Sequence, residues 1–278
     1  NDVTGQFNIV YKQGTLTIDK RPLTLTSATL SKEYDGTPLT NGDTALAVEQ
    51  GWAENEGATY EFTGSVKLPG ATTSNAFKVV PNENTSLDNY ELNKTEGQLT
   101  IEDRNDDAKY AVSLEANSGT FLYDGQEKSV DGFIQTEFTI DGAVYTVTGL
   151  EAKATRTDAG TTTVGIDGTP VVLDADQNDV TNQFRVSLKT GSLTVDKRVV
   201  VLTSATDTKP FDGTALTNTE VNISGDGWAA DEGATYDVTG SQTIVGFSSN
   251  AFTYELASNT KAENYQIDKR EGMLTVTS

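Results

Sequence analysis

The chain has 278 residues, 20 Lys+Arg against 41 Asp+Glu, a formal net charge of −21, and neither cysteine nor histidine. Those zeros exclude disulfides, Cys/His zinc sites, haem-histidine and iron–sulfur sites, and any nucleophile activated by an imidazole. The acidic excess speaks against nucleic acid and anionic membrane surfaces, which need clustered Lys/Arg, and no run of 18 apolar residues is present to span a bilayer.

The first 21 residues, NDVTGQFNIVYKQGTLTIDKR, recur at Asn178–Arg198 with 13 of 21 positions identical. The chain is therefore a repeat array. It opens on Asn1 and reads as an excerpt of a longer, exported protein. We assign residues 1–20 to the closing hairpin of a preceding repeat. A lone hairpin is marginal in water, so this segment is expected to fray, to pack on the next repeat, or to be borrowed by a neighbouring molecule.

Repeat A is predicted over 21–103. It starts with period-two alternation, Leu23 and Leu25 against Thr24 and Thr26, which suits a half-buried strand. The turn Tyr34-Asp35-Gly36 follows. Asp43–Asn55 places Ala45, Val48 and Trp52 at helical spacing, but Gly51 interrupts it, so strand plus loop with one helical turn is expected. Tyr60 and Phe62 then share one face of a strand. The repeat ends in NYELNKTEGQLTI (Asn89–Ile101), read as a closing hairpin.

Repeat B, 104–197, is a distant copy, with Tyr123-Asp124-Gly125 near its start and QFRVSLKTGSLTV (Gln183–Val195) at its end. Repeat A′, 198–278, is a close copy of A. It carries Phe211-Asp212-Gly213, Trp228 within GWAADEGATY, and the ending NYQIDKREGMLTV. Turn signals every 8–12 residues predict an all-β chain, a tandem array of Ig-like β-sandwich domains. The alternative is a β-grasp-like α+β unit with a packed helix in each repeat. The junctions DKRP (Asp19–Pro22) and DKRV (Asp196–Val199) hold no Gly/Ser linker, which predicts a stiff, end-to-end rod.

Each candidate site has a structural reading. In the three aromatic-Asp-Gly turns the ring is expected in the core, with Gly at positive φ and Asp bonding its own backbone; the competing reading is a ligand-contacting loop. Trp52 and Trp228 are expected to pack, against a sugar-stacking alternative. Asp174–Asp179 begins D-x-D-x-N but lacks the Gly and Glu of an EF-hand, which leaves a solvated loop or a looser calcium cage. Lys32 and Lys209, with Asn89 and Asn264, are the candidates for a Lys–Asn isopeptide crosslink, which needs a neutral, desolvated amine. Phe121 stands where repeat B would need the lysine.

The combination K-x-[YF]-D-G-T-x-L-T, G-W-x-x-x-E-G-A-T-Y-x-x-T-G-S and N-Y-x-[IL]-x-x-x-x-G-x-L-T-[IV] resembles the YDG/MBG-type tandem repeats of bacterial cell-surface, adhesin-like proteins. TDAGTTTV (Thr157–Val164) is similar to their D-x-G-x-Y-x-V stretch, with Thr162 at the usual tyrosine. The resemblance covers the chain in three copies. It implies a secreted or cell-wall-anchored protein and no catalytic residue or cofactor. The expected role is a non-catalytic stalk or spacer whose partners are the neighbouring repeats. The alternatives are an adhesive module for a host glycan or surface protein, and a self-crosslinking domain.

Overall fold

Leu23 and Leu25 are fully buried on one face of strand Arg21–Thr26, while the threonines between them stay half-buried. The same alternation buries Leu99 and Ile101, Leu193 and Val195, Val200 and Leu202, and Leu274 and Val276. The computed structural model describes residues 1–278 and divides into two units, Asn1–Lys109 and Tyr110–Ser278. It is all-β. Its only helical elements are five three-residue 3-10 turns, so the β-grasp alternative lacks its helix. The helical turn expected in Asp43–Asn55 is also replaced by strand Val48–Gln50, held antiparallel to Thr24–Thr26.

In the first unit, Arg21–Thr26 lies between Val48–Gln50 and the parallel strand Tyr90–Thr95. A second sheet places Gln98–Glu102 between the parallel strand Leu30–Glu33 and the antiparallel Thr72–Ser74. The expected closing hairpin is therefore not one. Tyr90–Thr95 and Gln98–Glu102 pair with different strands in different sheets, and Glu96-Gly97 carries the chain between them. Gly97 is required there because a Cβ would lie 2.4 Å from the Ala28 carbonyl oxygen. Ser27 tightens this corner: its hydroxyl donates to the Asn75 carbonyl (2.7 Å) and accepts from the Gly97 N–H (2.9 Å). Leu23, Leu25, Phe77 and Tyr90 form the core, with Trp52, Tyr60 and Phe62 packed against it.

This pairing explains residues 1–20. They hold one 3-10 turn, Thr4–Gln6, and no strand; every residue is exposed, Leu16 at 91 %. Their counterparts in each repeat never pair with each other. They pair with the first two strands of their own repeat, which Asn1–Lys20 lacks.

In the second unit every strand pair lies within Tyr110–Asp196 or within Arg198–Thr277. Both halves repeat the crossing. Phe184–Lys189 pairs in parallel with Tyr110–Glu115, and Gly191–Asp196 with Gly119–Leu122. Tyr265–Arg270 pairs with Arg198–Ser204, and Met273–Thr277 with Asp207–Pro210. Ser204 reproduces the Ser27 corner, donating to the Asn250 carbonyl and accepting from the Gly272 N–H. Repeat B differs by two long strands, Ala143–Arg156 and Gly160–Asp174, paired antiparallel with a register shift between Thr148 and Leu150.

Candidate functional site

The three aromatic-Asp-Gly turns share one backbone. Gly36, Gly125 and Gly213 have φ of 80–81°, a region that disfavours side chains. Asp35, Asp124 and Asp212 each accept the N–H two residues on, at 2.9–3.0 Å. Each aspartate also pairs with a lysine, Lys32, Lys128 and Lys209 respectively. The turn therefore presents the preceding ring in a set direction.

The rings do not all go to the core of their own repeat. One core cluster of repeat B holds Ala116, Val130, Ala152, Ala154, Val164 and Leu193, without Tyr123. Tyr123 instead joins Val195 in a cluster that continues into repeat A′ with Val200, Leu202, Ala229, Phe252 and Tyr265. Phe211 is 54 % exposed, so the same turn holds a ring in solvent. The turn fixes the direction of the ring, and the outcome differs: Tyr34 is buried at 1 % exposure, Tyr123 is covered across its junction, and Phe211 is exposed.

The receiving surface on repeat A′ is built from GWAADEGATY and the NY of its ending. Trp228 meets Tyr265 edge-on, with centroids 4.9 Å apart, and its indole N–H donates to the Tyr236 hydroxyl (3.0 Å). The Tyr265 hydroxyl accepts from the Ala229 N–H (3.0 Å) and donates to one Glu232 oxygen (2.7 Å). The other Glu232 oxygen accepts from the Tyr123 hydroxyl at 2.6 Å, and the Tyr123 and Tyr265 rings meet edge-on at 5.6 Å. Arg198 donates to the Tyr123 carbonyl (3.1 Å), and also to the carbonyls of Gly227 and Asp226. Beside it, Asn264 donates to Asp158 (2.9 Å) and accepts from the Ala159 N–H (2.7 Å), while Lys261 pairs with Asp158 at 2.6 Å.

Burial, then the Glu232 carboxylate, pushes the Tyr123 phenol up to about 12. Burial raises Tyr265 as well. The hydrogen bonds from Lys261 and Asn264 hold Asp158 below its ordinary value. A raised tyrosine stabilises the fold fully below its ordinary value near 10 and loses that contribution as pH rises through about 12. A lowered aspartate stabilises above 3.8 and loses its contribution as pH falls. The melting temperature of the second unit should thus decline both above pH 10 and below pH 3.8. The alkaline decline should be smaller in Tyr123→Phe; an equal decline in both proteins contradicts the assignment.

The remaining candidates lie elsewhere. Trp52 and Trp228 are both half-buried, and the indole of Trp52 bonds Glu49 (3.0 Å) and packs on Tyr90. The Lys32 ammonium is taken by Asp35 and Thr37, and that of Lys209 by Asp212 and Thr214. Neither lysine contacts the matching asparagine, Asn89 or Asn264. Asp174 is buried and turns one oxygen toward the N–H groups of Asp176 and Asn178. Sequence reading missed Glu232, Arg198 and Asp158. Glu recurs at the same place in both GWA motifs, and Arg closes every junction, which was the available signal. No protein-family model matches the chain, and comparison with curated proteins also finds no match.

Proposed function

We propose that the chain is a non-catalytic spacer segment of a bacterial cell-surface, adhesin-like protein, built from tandem Ig-like β-sandwich repeats. The observation that carries this reading is the junction at Lys197-Arg198. There the Tyr123 ring is 4 % exposed in a core cluster shared between the two repeats, and polar contacts surround it. A spacer needs neighbours that do not swing, and this junction ties two repeats through a buried ring. In the sandwich reading, the sheets that hold the first and last strands of each repeat turn their apolar faces toward a shared core. The YDG/MBG-like motifs support a surface location, and a net charge of −21 keeps such a segment hydrated.

The test is antibody labelling of intact producing cells together with a glycan array. Surface label and no glycan binding are the expected pair. Label confined to permeabilised cells overturns the location. Saturable glycan binding lost in Trp52→Ala or Trp228→Ala overturns the spacer role in favour of adhesion.

A further inference from the structure

Repeat A carries the aromatic, glutamate and arginine groups of the receiving surface of repeat A′, with Ser86 where Lys261 stands. Trp52 meets Tyr90 edge-on at 5.0 Å, the Tyr90 hydroxyl accepts from the Ala53 N–H (2.9 Å) and donates to one Glu56 oxygen (2.5 Å), and Arg21 donates to the Gly51 carbonyl (2.8 Å). These reproduce Trp228, Tyr265, Ala229, Glu232, Arg198 and Gly227. A cavity of about 520 Å³ lies over them, lined by Ile18–Arg21, Ala53, Glu56 and Asp88–Tyr90. Two of the groups that Tyr123, Asp158 and Ala159 cover in repeat A′ are more open here, while Tyr90 is as buried as Tyr265, at 4 % exposure each. Asn264 is 0 % exposed, whereas its counterpart Asn89 is exposed; Ala229 is buried, whereas Ala53 is half-exposed. The second Glu56 oxygen, whose counterpart accepts the Tyr123 hydroxyl, receives no donor.

We propose that this cavity is a docking socket for a repeat of the Arg104–Lys197 type. Its occupant inserts the tyrosine of a Tyr-Asp-Gly turn onto Glu56 and sets an Asp-Ala loop on Asn89. Two observations select that occupant. The same plug fills the same socket on repeat A′. The residues that lead into the two sockets, Asn1–Arg21 and Asn178–Arg198, are near-copies, and the second set is the end of repeat B. The exposed turn of repeat A′ is a poorer match. Gly246 pairs with Val276 as Gly160 pairs with Val195, so Ile244 and Val245 replace Asp158 and Ala159, and Phe211 replaces Tyr123. That end offers no hydroxyl to Glu56 and no carboxylate to Asn89. Sockets and plugs are thus matched in kind, and an array alternates its repeat types.

The inference deepens the spacer reading and rests on it only for the stacking of neighbours. In the test, a second copy of Arg104–Lys197 replaces Asn1–Lys20 ahead of Arg21. Hydrogen exchange is read over Gly51–Gly57 and Ser86–Tyr90. Exchange there should slow by about tenfold or more, and should return to the unextended rate when the added copy's plug tyrosine is alanine or when Glu56→Ala is introduced. Unchanged exchange beside a folded added copy overturns the socket and leaves the cell-surface reading standing.

The triple variant Phe211→Tyr, Ile244→Asp, Val245→Ala covers the case in which the added copy misfolds. All three positions are more than half exposed, so folding is not at stake. Concentration-dependent self-association at millimolar protein, abolished by Glu56→Ala, supports the socket; a strictly monomeric variant overturns it.

Discussion

Tyr123→Ala should uncouple the last two repeats at a cost of about 3–5 kcal/mol, the range for removing a buried aromatic ring. The ring is 4 % exposed and clusters with Val195 of its own repeat and five residues of repeat A′, so most of the loss falls on the neighbour. Ala229 would be opened to water, as its counterpart Ala53 is, the Tyr265 ring would lose its edge-on partner, and Glu232 would keep only its bond from Tyr265. Tyr123→Phe keeps the ring and removes one hydrogen bond to a charged acceptor, which costs about 1.5–3 kcal/mol. Calorimetry distinguishes the outcomes. The intact second unit should melt as one transition, and Tyr123→Ala as two, with repeat A′ first. A single, unshifted transition in the alanine variant would mean that the junction couples nothing.

Gly191→Ala should be the most damaging small substitution in repeat B, at roughly 3–5 kcal/mol, because the clash is with backbone and cannot relax by a rotamer change. The new Cβ would lie 2.0 Å from the Asn117 carbonyl oxygen and 2.7 Å from that of Ala116. Both atoms belong to the segment joining Tyr110–Glu115 to Gly119–Leu122, so relief requires the two crossing segments to part. Gly165→Ala is the control. It lies in strand Gly160–Asp174 with nothing within 4 Å of the added carbon, and its effect should stay within about 0.5 kcal/mol. Urea denaturation of both variants decides the matter; equal midpoints would show that the crossing tolerates a methyl group.

The apolar strand positions were readable because alternation is a property of the chain itself. Leu23, Leu25, Leu99 and Ile101 follow directly from period two. Strand pairing was not readable in the same way. Two apolar runs separated by Glu96-Gly97 have the spacing of a tight hairpin. The glycine serves instead to let two backbone segments pass closely, a contact with Ala28 that lies far away in sequence. The destination of the aromatic-Asp-Gly ring was hidden for a related reason. Tyr123 and Phe211 share one turn, yet one is 4 % and the other 54 % exposed, and the residues that cover Tyr123 include those of the next repeat. Glu56 and Glu232 looked like two of many acids. Their role emerged only when each was found beside the tyrosine of its own Asn-Tyr pair.

The parallel pairing of early and late strands has a mechanical consequence. In repeat A, Arg21–Thr26 is matched to Tyr90–Thr95 at six positions and Leu30–Glu33 to Gln98–Glu102 at four, and the repeat is entered through the first strand and left through the last. Tension applied at its two ends therefore drags these parallel neighbours lengthwise in opposite directions. The bonds of each ladder lie across that motion and share the load together, whereas a terminal hairpin would surrender them one after another. The other two repeats carry the same six-and-four arrangement, so each is a shear-loaded clasp.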